Sequence, residues 1–264
     1  MDEPYRSQFV ALIQSGAARR DIHDSNTNGE YDSDQESRVT DRFLEREIGR
    51  VDMHASGLCR TLVDHVGSAE RILDVGCGTG GTSVALALSS LGARAVMGID
   101  ADASTLKAAR VRAQAYGLNE PRLSFEHVPA GHNLPYQDHS FDLVTCVSVL
   151  EFISSQRHRD HFIAELLRVL RPGGHLFLAT PNPFVLHEYH SHRLLGDWRR
   201  SPGFPWSSPP WRLRRMLAGQ ESIPLARYRM LHHPRLRMVA AAAPLAQWAF
   251  PWQQLLTRKR QTAH

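Results

Sequence analysis

Hydrophobic and polar positions change their rhythm twice along the chain. Phe43, Leu44, Ile48, Val51, Leu58, Leu62, Val63 and Val66 recur at helical spacing, with Gly49 and Gly57 as expected divisions. From Arg71 onward, short apolar runs alternate with longer mixed stretches. Residues 72–75, 95–99, 123–128, 141–147 and 175–179 read as strands, the fourth apolar enough to be buried on both faces. Residues 82–91, 103–116 and 160–170 read as the helices between them. Ser104 is expected to help start the second helix and Gly117 to stop it. The third carries Phe162, Ile163, Leu166, Leu167 and Leu170 on one side and ends at Arg171-Pro172-Gly173-Gly174. After Asn182 the rhythm fails. Residues 183–215 are rich in Pro, Trp, His and Arg, and 227–231 and 253–258 are candidate late edge strands.

Strand–helix alternation implies a parallel sheet with helices on both faces, and right-handed crossovers make it doubly wound. Three segments are expected: 1–66 as a helical and flexible cap, 67–182 as the core, and 183–264 as an insertion over the sheet mouth followed by completion of the sheet. Residues 21–41 are polar and acidic, the composition of a linker or of a lid that orders on binding. The length of 264 residues suits one large α/β domain or two small ones.

Charge changes the picture more than bulk composition does. Residues 1–70 hold 8 Arg/Lys against 14 Asp/Glu, 71–184 hold 10 against 10, and 185–264 hold 13 against 3. The basic excess therefore belongs to the last third. It fits an anionic substrate, nucleic acid or a membrane surface, or simply a solvated face. Cys59, Cys77 and Cys146 form no C-x-x-C pair, which argues against a disulfide scaffold or a zinc site and fits a reducing compartment. MDEPYRSQFV lacks a basic-then-apolar signal, and the apolar tract 239–252 is interrupted by Pro244, Gln247 and Pro251. A cytoplasmic protein without a transmembrane segment is expected. Peripheral membrane contact by the basic third is compatible with that expectation.

The candidate chemistry begins at RILDVGCGTGGTS, residues 71–83. Gly76, Gly78 and Gly81 satisfy the dinucleotide spacing G-x-G-x-x-G, but no lysine follows to make a phosphate-binding P-loop. Asp100, at the end of the second strand, offers an acceptor for ribose hydroxyls. Asp74 tips the balance. Placed beside the loop and expected to face the ligand, its carboxylate repels a pyrophosphate and favours a ligand carrying an ammonium or sulfonium group. S-adenosylmethionine has both cations and no phosphate.

At these residues the chain resembles the class I S-adenosylmethionine-dependent methyltransferases, over roughly residues 71–182. ILDVGCGTG, GID ending at Asp100, LPYQDHSFDLVTCVSVLEFI and ELLRVLRPGGHLFLATPN match that family's motifs in order and spacing. The resemblance implies a Rossmann-like, mostly parallel seven-stranded sheet and S-adenosylmethionine as cofactor. It implies that Asp74, Gly76, Cys77, Gly78 and Gly80 border the methionine part, that Asp100 binds the ribose hydroxyls, and that Ala101 flanks the adenine. Residues near Cys146 would pass under the reactive centre. Two positions depart from the pattern. Ala130 stands where an acidic residue often meets the adenine amino group, leaving backbone at Ala130, Gly131 and His132. Phe152 replaces the histidine of VLEH.

The expected activity is methyl transfer to a small-molecule acceptor, O-methylation in a biosynthetic pathway. His187, His190 and, less favoured, His132 are the base candidates, and Glu151 is an orienting group. A non-catalytic cofactor-binding protein and an RNA or DNA methyltransferase are the alternatives. SPPW, residues 208–211, resembles an amino-group methyltransferase motif but follows the wrong strand, so a proline-stiffened loop is expected. HEYHSH, residues 187–192, is not H-E-x-x-H, so a pocket loop is preferred to metal. Trp198, Phe204, Trp206 and Trp211, interleaved with Arg199, Arg200, Arg212, Arg214 and Arg215, fit a lid over a small molecule better than a base-stacking surface.

Overall fold

The computed structural model describes residues 1–14, 43–182, 208–232, 250 and 252–261. Within it the chain separates into two units, Met1–His132 and Asn133–His264.

In the first unit, helix α1 (Glu3–Leu12) buries Phe9, which clusters with Ile13, Leu44, Ala108 and Val111. Residues 43–48 are helical, and Gly49 interrupts them as expected. Gly57 does not divide the next helix. It lies in a π-helical turn, Ala55–Cys59, that joins α2 (Arg50–His54) to α3 (Arg60–Val66). The hydroxyl of Thr61 donates to the Gly57 carbonyl at 2.9 Å, satisfying a group that the π geometry exposes.

Strands β1 (Arg71–Val75), β2 (Ala95–Asp100) and β3 (Leu123–His127) pair in parallel, with helices α4 (Gly81–Leu88) and α5 (Ala103–Ala115) between them in sequence. The register sets Val75 opposite Ile99 and Asp100 opposite His127. The loop after β1 and the carboxylate ending β2 therefore emerge at the same end of adjacent strands. Helix α4 stops three residues short of the expected end at Leu91, because the Ser89 hydroxyl takes the Leu86 carbonyl at 2.7 Å. Ser104 helps start α5 as expected, its amide donating at 2.9 Å to Asp102, the cap residue.

His54 carries a pH prediction for this unit. Burial, with Arg50 and Arg112 nearby, lowers its pKa from 6.5 to about 4. Between those values the unfolded chain binds a proton that the folded chain does not, so stability rises with pH across that window. Urea unfolding at pH 7 and pH 5 is expected to differ by about 1–3 kcal/mol on this account. His54→Gln is expected to flatten that part of the difference; equal slopes in the two proteins would show that the imidazole is not shielded.

The second unit contains β4 (Phe141–Val147), α6 (Gln156–Val169), β5 (Leu170–Pro181), α7 (Pro210–Met216), β6 (Glu221–Ile223), α8 (Ala226–His232) and β7 (Trp252–Arg258). β4 and β5 are parallel, whereas β7 runs antiparallel to both β5 and β6. The strands described make the expected seven-stranded, mostly parallel sheet, in the order β3-β2-β1-β4-β5-β7-β6.

Three expectations change in this unit. Arg171-Pro172-Gly173-Gly174 lies inside β5, where the Gly173 amide donates to the Lys259 carbonyl and the Lys259 amide to Gly174. Leu170 accordingly opens β5 instead of closing α6, and the helix buries Ile163, Leu166 and Val169 while Phe162 and Leu167 are half-buried. Residues 227–231 are helical, not an edge strand. Tyr228 stacks on His232 four residues later at 4.1 Å, and the Arg229 amide donates to the Leu225 carbonyl, so an apparent alternation of Arg, Tyr, Arg and Met conceals helical spacing. SPPW is a helix start, with Pro210 in the first turn of α7, where a missing N–H costs nothing. Lys259 donates to the Leu167 and Leu170 carbonyls, both at 2.6 Å, capping the end of α6.

Candidate functional site

The glycine loop leaves β1 with Gly76, Gly78 and Gly80 all at positive φ, which side-chain-bearing residues rarely adopt. Its amides turn inward. Gly76 and Cys77 both donate to the Ile99 carbonyl, at 2.8 and 2.9 Å, and Gly80 donates to the Cys77 carbonyl at 2.9 Å. Gly78 donates to Asp100 Oδ2 at 2.7 Å, while Asp100 Oδ1 accepts from the Asp102 amide at 2.8 Å. A pyrophosphate site needs free backbone N–H groups. Here four of the loop's amides are already used, one of them by a carboxylate. The open side of the loop lies at Gly78, where an added Cβ would meet nothing within 4 Å among the described residues.

Asp100 has about four lone-pair directions and spends two on these amides, leaving acceptor capacity for hydroxyl donors. Asp74 is 1% exposed and accepts from the Ser83 hydroxyl at 2.6 Å. It is a buried carboxyl group beside the loop, tied to α4 through Ser83. Burial raises the Cys77 thiol well above its ordinary value, with Asp74 and Asp100 adding to the shift. Cys77 is therefore a neutral thiol and not a competing nucleophile. Cys59 is pushed up to about 12, first by burial and then by Asp74.

Ala101, Ala130, Gly131 and His132 are exposed. The Ala101 carbonyl lies 3.1 Å from His127 Nε2, and Gly131 has φ +82 with no described residue within 4 Å of where a Cβ would stand. Among the predicted cofactor residues, Asp74, Gly76, Cys77, Gly78, Gly80, Asp100, Ala101, Ala130 and Gly131 all belong to the first unit, and β1 and β2 bring the loop and Asp100 into direct contact.

Cys146 and Glu151 belong to the second unit. Cys146 is fully buried on β4. Glu151, also fully buried, accepts from the Thr180 hydroxyl at 3.1 Å. Nearby in sequence, Ser148 adopts a left-handed φ of 59° directly after β4, an outlier of the kind that clusters at functional sites. Gln253 donates to the Pro181 and Ser208 carbonyls, and Arg159 donates to the Ser208 hydroxyl at 3.0 Å. These buried polar groups fasten α7 to the ends of β5 and β7. His187 and His190 lie outside the described residues, as do Trp198, Arg199, Arg200, Phe204 and Trp206 of the expected lid and the acidic stretch 21–41. Trp211 is exposed on α7. Among the described residues no His/Cys/Asp/Glu group is arranged to hold a metal, and no helix is long and apolar enough to cross a membrane.

Sequence reading missed Glu47, Arg50 and Arg112, which converge on the glycine loop. Thr79 donates from its hydroxyl to Glu47 Oε2 at 2.7 Å. No local signal announces this, because 32 residues separate the partners.

Residues 73–178 match the protein family described as a methyltransferase domain. The chain is 40% identical over 114 residues to the methyltransferase GfsG of Streptomyces halstedii, covering 43% of this chain and 38% of that protein. It is 36% identical over 121 residues to the 27-O-demethylrifamycin SV methyltransferase of Amycolatopsis mediterranei, covering 44% and 42%. The chain thus spans about two fifths of the length of these curated relatives. Among solved structures it is similar to a protein described as the [4+2]-cyclase SpnF, with TM-score 0.55 and 25% identity over 78% of this chain and 82% of that one.

Proposed function

We propose that the chain, which matches a methyltransferase domain over residues 73–178, is a class I S-adenosylmethionine-dependent methyltransferase that transfers a methyl group to a small-molecule acceptor. The observation that carries this reading is the inward-turned loop, with Asp100 accepting from Gly78. It disfavours phosphate and leaves carboxylate oxygens for a nucleoside without one. Gly76, Gly78 and Gly80 would hold the amino-acid part, aided by the negative field of buried Asp74. Asp100 would take the ribose hydroxyls, Ala101 would flank the base, and backbone at Ala130 and Gly131 would meet its amino edge. Cys146 would lie below the reacting centre. S-adenosylmethionine supplies a methyl group already activated on a sulfonium. The protein's share is alignment and exclusion of water, and good alignment is worth roughly 7–11 kcal/mol.

The acceptor's hydroxyl, the O-methylation it implies and a cytoplasmic location are part of the same proposal. A relative named for an O-demethylated substrate supports a hydroxyl acceptor. His187 and His190 remain the base candidates, with His132 the less favoured. Glu151, buried and bonded to Thr180, fits an orienting role better than direct proton transfer. Nucleic acid is the weaker partner, because Arg229, Arg258 and Lys259 of the basic third make intramolecular hydrogen bonds.

The likeness to a protein described as a cyclase favours a second reading, in which the site binds its nucleoside without methylating. Incubation with S-adenosylmethionine and a panel of small hydroxylated acceptors separates the two. Methylated product with stoichiometric S-adenosylhomocysteine is the expected result; tight binding without either product across the panel would favour the second reading.

A further inference from the structure

Three of the five residues at 76–80 are glycine, so the loop has much backbone freedom to lose when it orders. Only Cys77 and Thr79 have side chains that can anchor it, apart from the Asp100 contact to Gly78. The Thr79 anchor comes from outside residues 73–178. Glu47, on helical residues 43–48, is 2% exposed, and its Oε2 accepts the Thr79 hydroxyl at 2.7 Å.

Two guanidiniums complete the arrangement. Arg50 pairs with Glu47 Oε1. Arg112 of α5 lies 3.5 Å from Glu47 Oε2 and donates to the Glu47 backbone carbonyl at 2.7 Å. Arg112 is fully buried, stacked 4.4 Å above the Phe9 ring, and its Nε and Nη1 have no hydrogen-bond partner among the described residues. Both arginines crowd the first residue of α4: a Cβ on Gly81 would stand 2.5 Å from Arg112 Nη1 and 2.6 Å from Arg50 Cγ. A buried ionic cluster is seldom more stabilising than apolar packing of the same volume. What this one provides is a defined attachment of residues 43–50 and α5 to the tip of the loop.

We propose that Glu47 is a positioning residue for the cofactor loop, acting through Thr79, so that residues 43–54 and the cofactor site order together. This rests on the reading of residues 76–80 as the cofactor loop. The probe is S-adenosylhomocysteine, titrated calorimetrically into the full chain. Thr79→Val removes the hydroxyl at constant volume and is expected to weaken binding about tenfold, as for one hydrogen bond to a charged group. Thr79→Ser is expected to bind within about twofold of the parent. Glu47→Gln is expected to weaken binding too, and its effect is expected not to add to that of Thr79→Val, since both act on one contact. In hydrogen exchange, the ligand is expected to protect residues 43–54 in the parent and less so in Thr79→Val.

Failure of the parent to bind would remove the cofactor reading and this inference with it. Parent binding with Thr79→Val equally tight, or with exchange at 43–54 unmoved by ligand, would overturn the inference alone. A lowered melting temperature with unchanged affinity would likewise overturn it, marking Glu47 as a purely structural group.

Discussion

Asp100→Ala is expected to weaken S-adenosylhomocysteine binding at least about a hundredfold while leaving a folded protein, measured by calorimetry alongside a thermal melt. Two losses combine in that figure. The proposed ribose contacts disappear, and hydrogen bonds to a charged acceptor are each worth about 1.5–3 kcal/mol. The loop also loses the carboxylate that takes the Gly78 amide at 2.7 Å, and the turn into α5 loses the acceptor for the Asp102 amide at 2.8 Å. The second loss is shared between free and bound protein and appears partly as lowered stability. Asp100→Asn separates the two. Its single carbonyl oxygen satisfies one of the two amides, while its NH₂ opposes the other donor, so binding is expected to fall between parent and alanine variant. Binding of Asp100→Ala within threefold of the parent would remove the proposed ribose contact.

The features legible in the sequence are those whose partners are close along the chain or tied by strand order. The loop and Asp100 fall in this class, because a parallel pair joined by one helix brings the ends of successive strands together. The strands at 95–100 and 141–147 were legible for a related reason: continuous apolar runs bounded by polar residues have few other homes. Glu47 was not legible. A glutamate on an amphipathic stretch reads as solvated, and only tertiary packing against Arg112, 65 residues away, buries it. Lys259 was hidden likewise, its target carbonyls lying some 90 residues upstream. Residues 226–232 misled for a local reason. Arg229 looks like the polar half of an edge-strand alternation, yet its guanidinium covers the Phe250 ring at 4.0 Å and donates to the Trp252 carbonyl at 2.9 Å. Burial lowers its pKa to about 10, still leaving it charged at neutral pH. A residue that joins charge to packing in this way defeats a binary pattern.

The two glycines at the centre of the loop are expected to fail in opposite ways when replaced by alanine. Gly80, at φ +77, is tightly enclosed: its Cβ would stand 3.0 Å from both Ala109 Cβ and the Phe125 ring. Left-handed backbone costs about 1–2 kcal/mol for a residue with a side chain, and overpacking a tight contact adds about 1–3 kcal/mol. Gly80→Ala is therefore expected to lose about 2–5 kcal/mol of stability in urea unfolding. Gly78, at φ +52, has nothing within 4 Å of its Cβ direction among the described residues. Gly78→Ala incurs only the backbone cost, about 1–2 kcal/mol, and remains well folded. Its methyl group, however, stands in the open side of the loop, where the amino-acid part of the cofactor is proposed to lie. Affinity for S-adenosylhomocysteine is expected to fall more than about tenfold, the effect of holding a ligand off its hydrogen-bonding distance. Stability and affinity thus separate across one residue, Thr79, whose own side chain points to Glu47. Parent-like affinity in a folded Gly78→Ala protein would place the ligand on some other face of the loop, and with it the acceptor and the methyl group in flight.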